Sequence, residues 1–235
     1  LPAFSGIKID GKEDCLILTG SDSDVSIQTK LTKSEECVLE IRDMGSIVIE
    51  AKYILEIVRK IDADEIEFEM IDGSLTKISG NTAEFRINGM RANEYPAIDF
   101  SKPKECFALK EETLKKVILQ TSFATSDKET RPVLTGVNFH CEGNTLHCVA
   151  TDSYRLAKKT IDISESLNFN ITIPAKSLSE VVKTLEGEGE VEIAVNDKKA
   201  QFIIHDTIVQ TRLIDGVYPE TSRLIPLQFE YELTI

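Results

Sequence analysis

The decapeptide ATDSYRLAKK, Ala150 to Lys159, places an acid, a hydroxyl and a guanidinium within four residues of one another, directly after the apolar run TLHCV. Asp152, Ser153 and Arg155 are the residue types of a hydrolytic corner: an orienting acid, a nucleophile and an anion-stabilising cation. The same residues also suit the rim of a docking site, where Tyr154 and Leu156 would offer apolar contact. A nucleophilic serine needs a base, and the chain has only three histidines, none with an evident second partner for Ser153. His140-Cys141 and His147-Cys148 flank the turn EGNT, and in principle such cross-strand pairs bind zinc. Adjacent residues of a strand point to opposite faces, however, so each strand offers one ligand at most to a given site. His205, in FIIHDTIV, reads as solvent-facing decoration. Asp22, Asp24 and Ser26 begin like a calcium loop, but Ile27 stands where glycine is required and no closing glutamate follows. No phosphate-cradling GxxxxGK[ST] or GxGxxG occurs, and no GxSxG. The expectation is a protein without catalytic residues, metal or cofactor.

The elements that would position these residues are written twice. LPAFSGIKID and CLILTGSD near the start reappear as RPVLTGVNFH and LHCVATDS, with Pro2, Gly6 and Asp22 matching Pro132, Gly136 and Asp152 at an offset of 130. IVIEAKYILEIVRKI parallels ITIPAKSLSEVVKTL, EIEFEM parallels EVEIAV, and RANEYPAID parallels LIDGVYPET, with Pro96 against Pro219. LTGSDSDVSI is therefore the first-copy echo of the Asp152 corner, without SYRL. Period-two alternation in EIEFEM, LTKISG and AEFRING predicts strands, with IDGS as a hairpin turn. Three segments have helical periodicity. In the first, Ile54, Leu55 and Val58 form the predicted core stripe. In the second, Leu114, Val117 and Ile118 do, and the third, PAKSLSEVVKTL, opens on a proline. The fold class is α+β: duplicated domains of mainly antiparallel sheet with helices on one face.

Composition narrows the class further. Among 235 residues, 41% are hydrophobic and 29% charged, as in a soluble globular chain. Apolar runs are too short to span a bilayer, and no charged-then-apolar leader opens the chain. Five cysteines without a CxxC pair suit reduced thiols in a cytosolic protein. The net charge of −13 argues against non-specific nucleic-acid binding over the whole surface, though not against a local basic face. No tryptophan and 6% aromatics argue against a stacking platform for single strands. The chain starts at Leu1 and ends on QFEYELTI, which reads as a strand just beginning, so a fragment is expected.

Taken together, RPVLTGV, ATDSYRLA and LIDGVYPETSRLIP, with ANEYPAIDF and the LP-SG opening in order, resemble the bacterial sliding clamp family, the beta subunit of DNA polymerase III. The resemblance covers nearly the whole chain. It implies a DNA-clamp fold with residues 1–101 as a first domain lacking its N-terminal strand and helix, 102–226 as a second, and 227–235 as the start of a third. It implies a non-catalytic processivity factor: a head-to-tail homodimeric ring around duplex DNA, bound topologically and without sequence preference, that tethers the replicative polymerase in the cytoplasm. Short peptides from that polymerase, the clamp loader, repair polymerases and ligase-type partners would dock in a surface pocket. By position, the pocket residues here are Leu134, Thr151, Ser153, Tyr154, Arg155, Leu156, Pro219, Arg223 and Leu224. Many relatives have glycine at Ser153 and histidine at Tyr154, which alters the rim. The rest of the pocket would come from the third domain. Facing DNA, the resemblance implies helix lysines and arginines, here drawn from Lys52, Arg59, Lys60, Lys115, Lys116, Lys176 and Lys183, with Lys128 and Arg131 on the loop SDKETR. The alternatives are a two-domain interaction adaptor that never encloses DNA, and a hydrolase using Asp152, Ser153 and Arg155.

Overall fold

In the computed structural model of the chain, residues 2–35 and 37–225 are described; the expected start of a third domain lies outside them. The first copy opens on a 3-10 turn, Pro2–Ser5, followed by strands β1 (Gly6–Gly11), β2 (Cys15–Ser21), β3 (Val25–Thr32) and β4 (Gly45–Glu50). Helix α1 (Ala51–Lys60) comes next, then β5 (Glu67–Asp72), β6 (Leu75–Gly80), β7 (Ala83–Asn88) and the short β8 (Met90–Arg91). The second copy comprises β9 (Glu105–Lys110), α2 (Glu111–Thr121), β10 (Gly136–Thr151), β11 (Leu156–Pro174), α3 (Ala175–Thr184), β12 (Glu190–Val195), β13 (Lys199–Ile204) and β14 (Thr207–Arg212).

The repeat read in the sequence is a repeat of strand register. Gly6 pairs with Glu50 and Ser21 with Ser26; Gly136 pairs with Pro174 and Thr151 with Leu156. The β6–β7 hairpin, from Leu75↔Asn88 to Gly80↔Ala83, recurs in β13–β14 from Lys199↔Arg212 to Ile204↔Thr207. β10 doubles back near Gly143 (φ 63), since His140 and His147 lie seven residues apart yet their ring centroids are 6.4 Å apart. Gly6 and Gly136 match for a steric reason: an added Cβ would stand 2.5 Å from Val48 Cγ1 in one and 2.6 Å from the Ile173 carbonyl in the other.

All pairings are antiparallel, and the largest sheet runs β8-β4-β1-β2-β3-β14-β13-β12-β9, continuous from one copy into the other. The junction is the β3–β14 ladder, Val25↔Thr211 through Thr29↔Thr207. Two cores result. The larger gathers α2, α3 and the second-copy strands around Phe139, Phe202, Leu114 and Leu178, and takes in Val25 from the first copy. The smaller is built from Ile9, Ile47, Ile49, Ile54, Ile57 and Ile78.

The second helix buries Leu114, Val117 and Ile118 as its periodicity predicts, and α3 starts directly after Pro174. The first departs from expectation. Ile54 and Ile57 are buried, but Leu55 and Val58 are 47% and 44% exposed. α1 rests on β4 and β1 along one narrow i, i+3 line, and an apolar flank beside that line finds no cover among the described residues. His205 faces solvent as expected, in the β13–β14 turn with φ 49 rather than in a strand, and its Nε2 lies 3.1 Å from the fully buried carboxylate of Glu111. Glu111 Oε2 accepts a hydrogen bond from the Gly187 backbone N–H at 2.7 Å, which fastens the start of α2 to the α3–β12 loop.

Candidate functional site

The turn between β10 and β11 is made by Asp152. Its Oδ1 accepts hydrogen bonds from the backbone N–H groups of Tyr154 (2.9 Å) and Arg155 (3.0 Å), and Oδ2 accepts from Arg155 Nε at 3.0 Å. Those donors, the Tyr154 amide first, hold the Asp152 carboxyl below the ordinary carboxylate range. Thr151 completes the corner: its hydroxyl donates to the Arg155 carbonyl at 2.7 Å and accepts from the Ser153 N–H at 3.1 Å. Ser153 adopts φ 78, the left-handed region that glycine enters without penalty.

The first copy builds the same corner. Asp22 Oδ1 accepts from the N–H groups of Asp24 and Val25, and Ser23 has φ 87. Asp152 is thus a turn-forming acid shared by both copies. A hydrolase reading of Asp152, Ser153 and Arg155 fails on this geometry, because the carboxylate is committed to the turn and to Arg155 rather than to a base beside Ser153.

The second copy adds an apolar floor. Leu134, from the 3-10 turn Pro132–Thr135, clusters with Val149 and Tyr218, and Val133 and Leu156 pack against them. The Tyr218 hydroxyl accepts a hydrogen bond from the Thr151 N–H at 3.0 Å, fixing the segment after β14 to the corner. On the other side, the Arg155 guanidinium lies 5.7 Å from the centre of the Phe123 ring. Arg155 is therefore held between Asp152 and an aromatic face, with more than half of its side chain exposed.

Of the predicted pocket residues, the structure brings Leu134, Thr151, Ser153, Arg155 and Leu156 together. Tyr154 stands beside them, 95% exposed. Pro219, Arg223 and Leu224 follow Tyr218 on an exposed segment, outside the buried cluster. Val149, Tyr218 and Phe123 were not singled out from sequence. The repeated Tyr-Pro, Tyr95-Pro96 and Tyr218-Pro219, was the available signal for Tyr218, while Phe123 gave none.

The predicted DNA-facing cations are exposed, apart from the half-buried Lys115. Lys116, Lys183 and Lys60 pair with Glu112, Glu180 (2.8 Å) and Glu56 (4.0 Å) on their own helices. Lys115, Lys116, Lys176 and Lys183 share the packed α2–α3 pair, whereas Lys52, Arg59 and Lys60 belong to α1, and Lys128 and Arg131 to the loop after α2.

A cleft of about 570 Å³ lies elsewhere, between α1 and β7, with Tyr53, Ile57, Phe85 and Ile87 in its walls. Their second-copy counterparts, Ser177, Val181, Val209 and Thr211, are all buried. There β3 closes the space, with Val25 opposite Thr211 and Ile27 opposite Val209.

Residues 1–99 match the N-terminal domain of the DNA polymerase III beta subunit, and residues 108–220 match its central domain. The chain belongs to the beta subunit, or beta sliding clamp, family. It is 40% identical over 240 residues to the beta sliding clamp of Bacillus subtilis, an alignment spanning 100% of this chain and 64% of that protein. The crystal structure of the Bacillus subtilis sliding clamp superposes with a TM-score of 0.94 at 38% identity, covering 97% of this chain and 61% of that one. The DNA polymerase III beta chain of Streptococcus pneumoniae gives 0.92 at 33% identity, covering 97% and 62%. The chain thus spans less than two thirds of these clamps' length, and its sliding-clamp fold, mainly antiparallel sheet with a few helices, is that of the family.

Proposed function

We propose that this chain supplies two successive domains, 1–101 and 102–226, of a non-catalytic sliding clamp that encircles duplex DNA and tethers the replicative polymerase in the bacterial cytoplasm, with 227–235 beginning a third domain. The observation that carries the reading is the junction. β14 of the second copy adds to β3 of the first, a head-to-tail contact between unlike edges. Among the described residues the same two edges remain unpaired at the far ends: β7, the counterpart of β14, and Leu156–Asp162, the counterpart of β3. Heterologous contacts repeat until rotation closes them into a ring. The cleft beside β7 is what Val25 and Ile27 fill at the existing junction, so a β3-like strand of a second subunit fits there. A net charge of −13 then suits a ring linked to DNA by topology, with the exposed helix cations giving a weak, screened attraction.

The Leu134–Arg155–Leu156 corner is the docking place for short peptides of the polymerase, the clamp loader, repair polymerases and ligase-type partners. Leu134, Leu156, Val149 and Tyr218 receive apolar side chains; Thr151, Arg155 and Arg223 fix polar groups.

Loading the full-length clamp onto nicked circular DNA and then linearising it tests the ring. Retention on the circle through moderate salt, with release on linearisation, is expected. Salt-sensitive loss from the intact circle would contradict topological binding.

A further inference from the structure

His140 and His147 project from the β10 hairpin on the face opposite the buried Cys141 and Cys148. Their rings lie 13° from parallel with centroids 6.4 Å apart. Strand register extends the row, setting Asn170 beside His140 and Thr160 beside His147. His147 Nδ1 lies 3.0 Å from Thr160 Oγ1, which orients the ring and leaves Nε2 as its ligating nitrogen. Nδ1 of His140 is buried and has no hydrogen-bond partner. Such an orphaned nitrogen is uncommon and points to a bound water or ion. The duplicated frame does not need this pair: the first copy has Asp10 and Ile17 there, with Asp10 paired to Lys8 at 3.1 Å.

We infer that His140 and His147 form a two-imidazole site for a first-row divalent transition-metal ion of the Zn²⁺ or Ni²⁺ class. Imidazole nitrogen is a borderline ligand that suits these ions. With metal–nitrogen bonds near 2.0–2.1 Å, two rings on one tetrahedral ion stand about 5 Å apart, so side-chain rotation must close roughly 1 Å. Among the described residues no group of three or more His, Cys, Asp or Glu side chains is placed to hold a metal ion, so the site proposed has two protein ligands.

Calorimetric titration of the purified chain with nickel chloride alone, at neutral pH, tests the site. One ion per chain is expected, with affinity at least about tenfold weaker in His140→Asn and in His147→Asn. His205→Asn should bind as the parent does, and Cys37 and Cys106, half-buried, are common to every variant. On the unmodified chain, zinc should shift the ring ¹⁵N resonances of His140 and His147 but not His205, a readout independent of how the variants fold. Undiminished binding in both variants, no saturable binding, or shifts confined to His205 would each overturn the assignment.

Discussion

The corners at Asp22–Ser23 and Asp152–Ser153 share a frame and differ in use. Each is closed by an aspartate accepting two backbone N–H bonds, and each passes through a left-handed serine. After the first corner, Val25 enters the ladder to β14 and is buried in the second-copy core. After the second, the corresponding residue is Arg155, exposed, paired with Asp152 and lying over Phe123. One turn thus serves as a seam between units in the first copy and, in the function proposed above, as an open docking rim in the second. The chemistry-like cluster of Asp, Ser and Arg is shared scaffold up to Ser153, and the copies diverge after it.

The tyrosines behind the corners give the largest expected difference. Tyr218→Phe removes the acceptor of the buried Thr151 N–H and should cost about 1–2 kcal/mol in denaturant unfolding. Tyr95→Phe removes only a 3.4 Å contact to the Thr19 carbonyl and should cost about 0.5 kcal/mol or less. Equal losses would show that the two segments are held alike. Ser153→Gly and Ser23→Gly should instead behave as equals, each stabilising by about 0.5–1 kcal/mol because glycine relieves the positive φ. A gain at one site alone would break the shared-frame reading.

The smallest effect is acid titration of the Asp152 turn. Its folded pKa is depressed, chiefly by the Tyr154 and Arg155 amides, so the stabilisation is complete above the ordinary aspartate value and is lost as pH falls through the folded value. Asp152→Asn should flatten the acid limb of a melting-temperature profile below about pH 4. An unchanged limb would mean that the turn does not depend on the carboxylate's charge.

Much of the frame was legible in the sequence because it is local. The alternation in LTKISG and the Leu114, Val117, Ile118 stripe each report a periodicity that neighbouring residues impose on one another, and the offset between Pro2 and Pro132 then shows the same local pattern written twice. What escaped depends on contacts made at a distance. Nothing in VSIQTKLT announces that β3 will pair with β14, nor that Val25 will lie in the other copy's core. Leu55 and Val58 satisfy a helical stripe yet lie off the line along which α1 meets β4 and β1. At the proposed docking corner, SYRL and Leu134 were readable as a motif. Val149 and Phe123 were not, because they join it only when β10 and the 3-10 turn Ser122–Ala124 after α2 fold beside the corner. The alternation rule separated His140 and His147 from the cysteines, but their stacking needed the hairpin's register.

In the function proposed above, SYRL, and not the corner it shares with the first copy, makes the docking site. A fluorescent peptide from the polymerase C-terminus, titrated against the full-length clamp, tests this directly. Arg155→Ala and Leu156→Ala should each weaken binding by about tenfold or more, as anchor residues do, while Asp22→Ala leaves it unchanged. Binding that is unaffected by both second-copy substitutions would contradict the account.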